Sequence, residues 1–291
     1  MFDLRTFRLH YTAKSLPRLP DYTGGLWRGA IGNTLRSRTC LTGAATCTGC
    51  PVMHQCLYGR MYENPRPERA IDLLSKYTEL PHPYIVCPQD VRVPMAGQPA
   101  RLAVDLTLIG ELAGEFQDVQ PHLTRLKLND VPLELESATP IGLQPMPAQP
   151  PPALRVRCLT PMRLKARGHY VRAKPFHPAI FVKTLLRRLS MLYATHNQQP
   201  IPADTRGLSK MAEEITMQEN NLEWYDWQRL STRQARRIPM GGLVGSFDIS
   251  GFPAELWPLL WFGQWSHVGK GAVMGMGRYR LQLLGNAGMA S

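Results

Sequence analysis

The sequence predicts an α+β protein made of two domains in tandem. Segments that alternate apolar and polar residues, as strands do, occur together with helical segments in both halves of the chain. Six prolines between residues 140 and 153 separate the halves and predict an extended, semi-rigid connector. We therefore predict a first domain over residues 1–140, a linker over 141–153 and a second domain over 154–291.

The balance of charge indicates a polyanionic partner. The 291 residues carry a formal net charge of +12, and the isoelectric point is about 9.7. A protein this basic is expected to meet nucleic acid or an anionic membrane. No run approaches the ~18 apolar residues of a membrane span, and Asp3, Arg5 and Arg8 argue against a signal peptide. We therefore predict a cytoplasmic protein that binds nucleic acid and has no membrane partner.

The first domain is predicted to combine strands with one longer helix. A turn that contains Tyr22 leads into a helix over residues 26–38. Arg28 and Arg36 lie off the apolar stripe of that helix, where they are either solvated or face a ligand. The alternating or apolar segments that predict strands are residues 6–12, 81–88 and 101–109.

Four of the six cysteines lie within 17 residues, at Cys40, Cys47, Cys50 and Cys56. In a reducing cytosol such clustering favours metal ligation or burial over disulfides. The two-residue gap between Cys47 and Cys50 is typical of a zinc knuckle, whereas the outer spacings are irregular. The cluster therefore predicts a structural zinc that staples a loop. The alternative is that the thiols are small buried hydrophobic groups.

A basic stretch opens the second domain. Residues 154–174 hold seven Lys or Arg and no acid, and several of them alternate with apolar residues. Strands with one basic face suit a nucleic-acid backbone, because each neutralised phosphate releases counterions. A solvated strand face is the plainer alternative, but it explains seven unopposed cations less well. We therefore favour binding here, through residues that include Arg163, Lys165 and Arg167.

The rest of the second domain is predicted as a helix, a hairpin and a helix–loop–strand unit. The helix covers residues 178–193, and the hairpin strands cover 222–233 and 243–249, with Phe247 and Ile249 facing inward. A second cluster of cations lies in the hairpin connection, at Arg233, Arg236 and Arg237.

A glycine-rich basic loop follows the last helix. It contains Gly269, Lys270, Gly271, Gly275, Gly277 and Arg278. Glycines this dense would weaken a helix or strand, but they let successive N–H groups form an anion-binding concavity. The pattern is neither a Walker loop nor a dinucleotide fingerprint, because Ala272 follows Gly271 and the helix precedes the loop. A phosphate-binding loop and a tight turn packed on a strand are equally compatible with this spacing.

These motifs resemble those of the CRISPR-associated endoribonucleases that process precursor crRNA, within the RAMP superfamily of RNA-binding proteins. The resemblance is carried by His267–Gly271 with Gly275–Tyr279, by Trp224–Trp227 ahead of Gly241–Gly245, and by Leu26–Gly32 ahead of the clustered cysteines. It spans most of the chain and is strongest over residues 222–283. It implies two tandem ferredoxin-like (RRM-like) domains, with a cysteine-rich insertion in the first.

The resemblance also implies an activity. Such enzymes bind CRISPR repeat RNA and cleave it without a metal, by attack of a 2′-hydroxyl that leaves a 2′,3′-cyclic phosphate and mature crRNA. No cofactor is then expected for catalysis, and a structural zinc is the one cofactor that the cysteines suggest. The expected partners are CRISPR repeat RNA, its crRNA product and subunits of a CRISPR effector complex.

Many relatives carry a catalytic histidine in or near the first helix, but residues 26–38 contain none. We therefore predict that His267 transfers protons, with Lys270 as electrostatic partner and Tyr22 as a weaker candidate. A capping or packing role for His267 is an equal alternative, and the substitutes are His10, His169 and His177. The predicted RNA-binding residues are Gly269, Gly271, Gly275, Gly277, Arg278, Arg233, Arg236, Arg237, Arg163, Lys165, Arg167, Arg28 and Arg36.

Two other functions remain open. A non-catalytic RAMP subunit that binds repeat RNA as a structural component would also lack the first-helix histidine. A zinc-dependent DNA-binding module could be built on the cysteine cluster, although that cluster is distant in sequence from the most basic region.

Overall fold

A computed structural model describes residues 2–67, 72–75, 77–89, 91, 98–231 and 236–285, and within these ranges the side chains of 72–73 and 228–239 are not described. Two compact units are present. Unit 1 comprises Met1–Gly142 and Met191–Ile201, and unit 2 comprises Leu143–Ser190 and Pro202–Ser291. The sequence did not anticipate that residues 191–201 join the first unit, and the boundaries at residues 140 and 153 stay a prediction.

Unit 1 is built around a five-stranded antiparallel sheet with the strand order β2-β3-β1-β5-β4. Its strands are β1 (Leu4–Ala13), β2 (Tyr84–Pro88), β3 (Ala100–Ile109), β4 (Arg125–Leu128) and β5 (Val131–Ile141). Its helices are α1 (Gly24–Thr39), α2 (Asp72–Ser75) and α3 (Phe116–Val119), with a π-helical turn at Gly59–Glu63 and 3₁₀ turns at Gly110–Gly114 and Gln120–Leu123. The three strands and the helix predicted in this half all exist in the structure.

The sheet of unit 1 has an apolar face and a polar face, because successive side chains of a strand point to opposite sides. Leu9 and Tyr11 of β1 are fully buried on the apolar face. The Tyr11 ring lies 5.6 Å from that of Trp27 on α1, so this helix covers the apolar face. Arg8 and His10 of β1 belong to the other face.

Unit 2 contains a four-stranded antiparallel sheet with the strand order β13-β6-β12-β9 and two small hairpins. The strands are β6 (Ala153–Met162), β7 (Lys165–Ala166), β8 (His169–Tyr170), β9 (Thr216–Tyr225), β10 (Gln228–Ser231), β11 (Arg236–Pro239), β12 (Gly242–Ser250) and β13 (Tyr279–Leu284). The helices are α4 (Pro178–His196), α5 (Thr205–Met211) and α6 (Trp257–Ser266), and 3₁₀ turns occur at Ala212–Glu214, Ala254–Leu256 and Ala272–Met274.

Aromatic packing joins the helices of unit 2 to its sheet. Phe181 of α4 makes edge contacts with Phe247 of β12 and Tyr279 of β13, with centroid distances of 5.4 Å and 5.1 Å. Such edge-to-face pairs add about 0.5–1.5 kcal/mol to the burial of their area. Phe247 and Ile249 are fully buried, as the alternation of that strand predicted.

The basic face predicted for β6 is partly neutralised within the sheet. Arg155 binds Asp248 on the neighbouring strand through two hydrogen bonds of 2.7 Å, and Glu219 lies 3.0 Å from the same guanidinium. The sequence suggested that the seven cations of residues 154–174 have no acidic partner, but Arg155 has two. Asp248 and Glu219 are distant from Arg155 in the chain, and strand pairing brings them to it.

The proline-rich connector is held along α6. Indole N–H groups of Trp257 and Trp261 donate to the carbonyl oxygens of Pro147 and Gln144, at 2.9 Å and 3.2 Å. These bonds give the connector a defined path even though it lacks regular secondary structure. Within the described part of the chain, no helix combines the length and apolarity of a membrane span.

Candidate functional site

The glycine-rich loop joins α6 to β13 and lies close against the end of β6. Gly269, with φ of 86°, and Gly277, with φ of 70°, adopt the left-handed backbone that favours glycine. A Cβ at Gly269 would lie 2.3 Å from the carbonyl oxygen of Arg163, and one at Gly277 would lie 1.8 Å from that of Val268. Glycine is therefore required at both positions because the backbone passes so close to a carbonyl oxygen. This agrees with the interpretation of the loop as a tight turn packed on a strand.

Hydrogen bonds fasten the loop to β6. The N–H of Gly277 donates to Pro161 O at 3.0 Å, and the N–H of Lys270 donates to Arg163 O at 2.9 Å. The hydroxyl of Thr160 donates to Gly275 O at 2.7 Å and accepts from the N–H of Arg278 at 2.9 Å. The loop is thus a fixed part of unit 2.

One side of this fixed loop retains features of an anion site. Gly271 is left-handed, with φ of 82° and ψ of 10°, and precedes the 3₁₀ turn Ala272–Met274. The first N–H groups of such a turn have no acceptor within the turn. A left-handed residue followed by right-handed ones gives the backbone geometry of an anion-binding nest. The side chain of Lys270, next to Gly271, is exposed.

His267 is buried at the end of α6, with only 3% of its surface exposed. Its backbone has φ of 58° and ψ of 174°, and its Nδ1 lies 3.2 Å from Met276 O. Burial, reinforced by the charges of Arg278 and Arg188, lowers the pKa of His267 well below its usual value. A neutral, enclosed imidazole that joins the two ends of the loop fits the packing alternative and gives no support to the predicted proton-transfer role.

Arg163 is also buried, at 8% exposure, rather than presented on a basic surface. Its guanidinium carbon lies 4.2 Å from the ring centroid of Tyr170, and its Nη1 lies 3.0 Å from Met240 Sδ. Lys165 Nζ lies 4.8 Å from the same ring. Two cations therefore pack on one tyrosine, which keeps 37% of its own surface exposed.

The exposed cations of residues 154–174 are Arg157, Arg167, Arg172 and Lys174. Arg167 lies in the turn between β7 and β8 with φ of 48°. The Arg172 guanidinium carbon is 3.9 Å from the Trp224 ring, and a Cβ at Gly241 would come within 2.3 Å of that ring. The sequence-based site lacked Tyr170 and Arg172, although a tyrosine flanked by cations over residues 165–172 is a recognisable signal.

The second predicted cationic cluster is only partly within the structure. Arg233 lies outside the described residues. Arg236 and Arg237 belong to β11, where they pair with Ser231 and Leu230 of β10, and their side chains are not described.

The cations predicted on α1 contact their own unit. Arg36 donates to Ala44 O at 3.0 Å and to Ala45 O at 2.5 Å, so it braces the loop that contains the cysteines. Arg28 is half-buried, 5.1 Å from the ring of Tyr62. The prediction that Arg36 faces RNA therefore competes with an internal role. Tyr22 lies half-buried just before α1.

The four clustered cysteines are free thiols that line one small cavity of about 10 Å³. Thr42 Oγ1 lies 3.9 Å from both Cys40 Sγ and Cys50 Sγ. The N–H groups of Gly43 and Thr42 lower the pKa of Cys40. Across the described ranges, no three His, Cys, Asp or Glu side chains are placed to hold a metal ion. The structure therefore does not support the zinc site or the DNA-binding module built on it, and the ligand set stays a prediction.

Two units, each with helices packed on an antiparallel sheet, define the class of tandem ferredoxin-like proteins. Residues 156–279 match the family model described as CRISPR-associated endoribonuclease Cas6. Residues 2–129 match a model described only as an N-terminal domain. The Cas6 match contains the basic hairpin, which we define as β7 and β8 with the turn between them (residues 165–170), together with Trp224 and the glycine-rich loop.

Solved structures extend the likeness over both units. The chain is similar to the Cas6 TTHB231 product complex, with 17% identity and a TM-score of 0.63, over 96% of this chain and 100% of that one. It is also similar to the Cas6 TTHA0078 product complex, with 19% identity and a TM-score of 0.56, over 97% of this chain and 100% of that one. A third similar structure is a RAMP protein described as binding different RNA substrates, with 11% identity and a TM-score of 0.54, over 96% of this chain and 99% of that one. No curated protein sequence matches the chain.

These comparisons confirm the resemblance to the Cas6 endoribonucleases and the tandem ferredoxin-like fold. Whether the cysteine-rich segment is an insertion relative to those proteins stays a prediction.

Proposed function

We propose that the protein binds CRISPR repeat RNA and cleaves it endonucleolytically to give mature crRNA. The observation that carries the proposal is the Cas6 match over residues 156–279, which contains the glycine-rich loop and the basic hairpin. The relatives described as Cas6 product complexes share the fold of the whole chain, which adds support. The net charge of +12 suits a polyanionic substrate.

The RNA backbone is bound by exposed cations of unit 2 that stand on fixed structure. Lys270 projects from a loop that is hydrogen-bonded to β6, and Arg172 is stacked on Trp224. A backbone that is already fixed needs no ordering when RNA binds, which favours affinity. The exposed ring of Tyr170, which has Arg163 and Lys165 packed on it, offers a surface for a nucleobase.

The reaction proceeds without a metal, by attack of a 2′-hydroxyl on the adjacent phosphorus. A new P–O2′ bond forms, the P–O5′ bond breaks, and the products end in a 2′,3′-cyclic phosphate and a 5′-hydroxyl. Lys270, the predicted electrostatic partner, binds a phosphate of the RNA backbone. His267 acts by holding the loop in place, and Tyr22 remains a candidate for contact with the reacting groups.

The test is an assay of purified protein with end-labelled repeat RNA from the CRISPR array nearest its gene. We expect a single cut, a 2′,3′-cyclic phosphate on the upstream product, and no cleavage when the nucleotide before the cut carries 2′-deoxyribose. Tight binding of the deoxy substrate would separate recognition from chemistry. A failure to bind repeat RNA more tightly than an unrelated hairpin would refute the proposal.

The second candidate is a RAMP subunit that binds repeat RNA without cleaving it. The burial of His267 favours it, because that histidine was the predicted proton-transfer group. Specific binding with no cleavage of the all-ribose repeat would establish this alternative. Association with effector-complex subunits belongs to either version of the proposal and is tested by co-purification of those subunits with the crRNA-bound protein.

A further inference from the structure

A cavity of about 390 Å³ opens on the face of the unit 1 sheet that α1 does not cover. Its polar lining comes from Arg8 and His10 of β1, Arg101 of β3, Glu136 of β5, and Gln89 just after β2. An imidazole, two guanidiniums and a carboxylate are thus brought to one place by strand pairing. The cavity lies within unit 1 and shares no residue with the glycine-rich loop.

Arg8 is held rigidly at the cavity. Its Nε and Nη2 donate to Asp105 at 2.7 Å and 3.0 Å, and Nη2 also donates to Gln89 at 3.2 Å. The Asp105 side chain is 3% exposed, so Arg8 is paired with a carboxylate that is itself buried. These bonds leave Nη1 of Arg8 for a ligand.

Arg101 is held more weakly. Its Nη2 lies 3.5 Å from Glu136, and the two side chains are 61% and 47% exposed. Exposed pairs of this kind contribute about 0–1 kcal/mol. A phosphate could therefore replace Glu136 as the partner of Arg101, so that the exposed guanidinium of Arg101 and the fixed guanidinium of Arg8 would bind one anion.

A β-bulge lies next to His10. On β5, Ser137 pairs with His10 and Leu135 pairs with Tyr11, so Glu136 is the extra residue. Bulges recur near active sites because they redirect a side chain. On its other side His10 faces Ala103 of β3, which is too small to cover the imidazole.

The rings of several other histidines are used within the fold. His82, His196 and His267 each lie within 3.2 Å of a carbonyl oxygen, and His177 accepts from the N–H of Ala179. His10 differs from these because it is half-buried beside two arginines in an open cavity. Histidine suits proton transfer at neutral pH, and arginine suits the charge on a pentacoordinate phosphate.

We propose that His10 is the proton acceptor for RNA cleavage, and that Arg8 and Arg101 bind the scissile phosphate in this cavity. The inference rests on the proposed function. The His10 imidazole takes the proton of the 2′-hydroxyl as the P–O2′ bond forms. The P–O5′ bond then breaks, the 5′-oxygen takes a proton from solvent water, and the imidazolium returns its proton to the resulting hydroxide.

The test compares single-turnover cleavage and RNA affinity for the wild type, His10→Ala, His10→Gln and His122→Ala. General-base catalysis contributes about 10²–10⁴-fold. We therefore expect both His10 variants to cleave at least about 100-fold more slowly, with affinity within about threefold of the wild type. His122 does not line the cavity, so its variant should cleave normally. Added imidazole should partly restore His10→Ala, which a structural role would not allow.

The outcomes distinguish a failure of the cavity assignment from a failure of the proposed function. If the wild type cleaves and the His10 variants cleave equally well, the cavity assignment fails and the proposed function stands. If the His10 variants lose affinity in proportion to rate, or imidazole rescues nothing, His10 is not the proton acceptor. If the wild type binds repeat RNA without cleaving it, endonuclease function itself fails, and this inference fails with it.

Discussion

The carbonyl oxygen of Arg163 accepts a hydrogen bond from the backbone N–H of Lys270, at 2.9 Å. The same oxygen would lie 2.3 Å from a Cβ at Gly269. One backbone atom just after β6 therefore both fixes the loop and requires glycine at the position before Lys270. As a result, the exposed amine of Lys270 is carried by a backbone that is already in place before any ligand binds.

Replacement of Gly269 by alanine should destabilise unit 2. Its left-handed backbone costs a non-glycine residue about 1–3 kcal/mol, and the collision with Arg163 O adds to this. Gly168→Ala is the matched control, because Gly168 has a similar φ of 85° but no atom within 4 Å of the added Cβ. Urea denaturation should show a larger loss for Gly269→Ala. Equal losses of stability would mean that the close approach of Gly269 to Arg163 O does not affect the free energy of unfolding.

His267 should make stability depend on pH. Burial lowers the pKa of His267 in the folded protein. Below the usual histidine pKa of about 6.5, the unfolded chain therefore binds a proton at His267 that the folded protein does not bind. The unfolded state then binds more protons, and the free energy of unfolding falls as the pH falls, by up to about 1.4 kcal/mol per pH unit. This contribution is complete above about pH 6.5. Urea denaturation of the wild type and of His267→Asn between pH 5 and 8 measures this contribution. If the free energy of unfolding changed with pH in the same way for both proteins, the prediction would be wrong.

Lys270→Ala and Arg167→Ala should weaken RNA binding through lost phosphate contacts. Each contact should also reduce the slope of log affinity against log salt by about 0.7–0.9. Arg155→Ala should change that slope little, because two carboxylates, those of Asp248 and Glu219, surround its single positive charge. Fluorescence anisotropy over a salt series gives all three values. A slope change for Arg155→Ala as large as that for Lys270→Ala would place the RNA on the face of β6 instead.

Chelation should leave the chemical step intact. In the proposed mechanism the nucleophile is the 2′-hydroxyl and the charge is stabilised by side chains, so EDTA should change the cleavage rate by less than about twofold. Elemental analysis of the same samples would determine whether zinc is bound, with Cys47→Ser as the control for the predicted ligands. A rate that collapses in EDTA and returns with added magnesium would exclude the proposed mechanism.

Much of the architecture was accessible from local patterns. Alternation identified β1 and the buried positions Phe247 and Ile249, and the apolar stripe after Pro178 identified α4. These predictions succeeded because each depends on residues within one element, where a period of 2 or 3.6 directly reports the buried face. The resemblance that rests on the glycine-rich loop was correct for the same reason, since its motif is contiguous.

Burial and pairing across the chain required the folded structure. Arg163 was predicted as a surface cation, but it packs against Met240, 77 residues away, and Arg155 is neutralised by Asp248, 93 residues away. His267 looked available beside its glycines, yet the turn that these glycines form encloses the imidazole. The cavity around His10 likewise unites β1, β3 and β5, and strand register, which no single segment encodes, brought them together. Periodicity thus identified the helices and strands, and composition indicated a polyanionic ligand. The exposure of each ionisable group was instead set by residues distant in the chain, because desolvation and pairing depend on proximity in space.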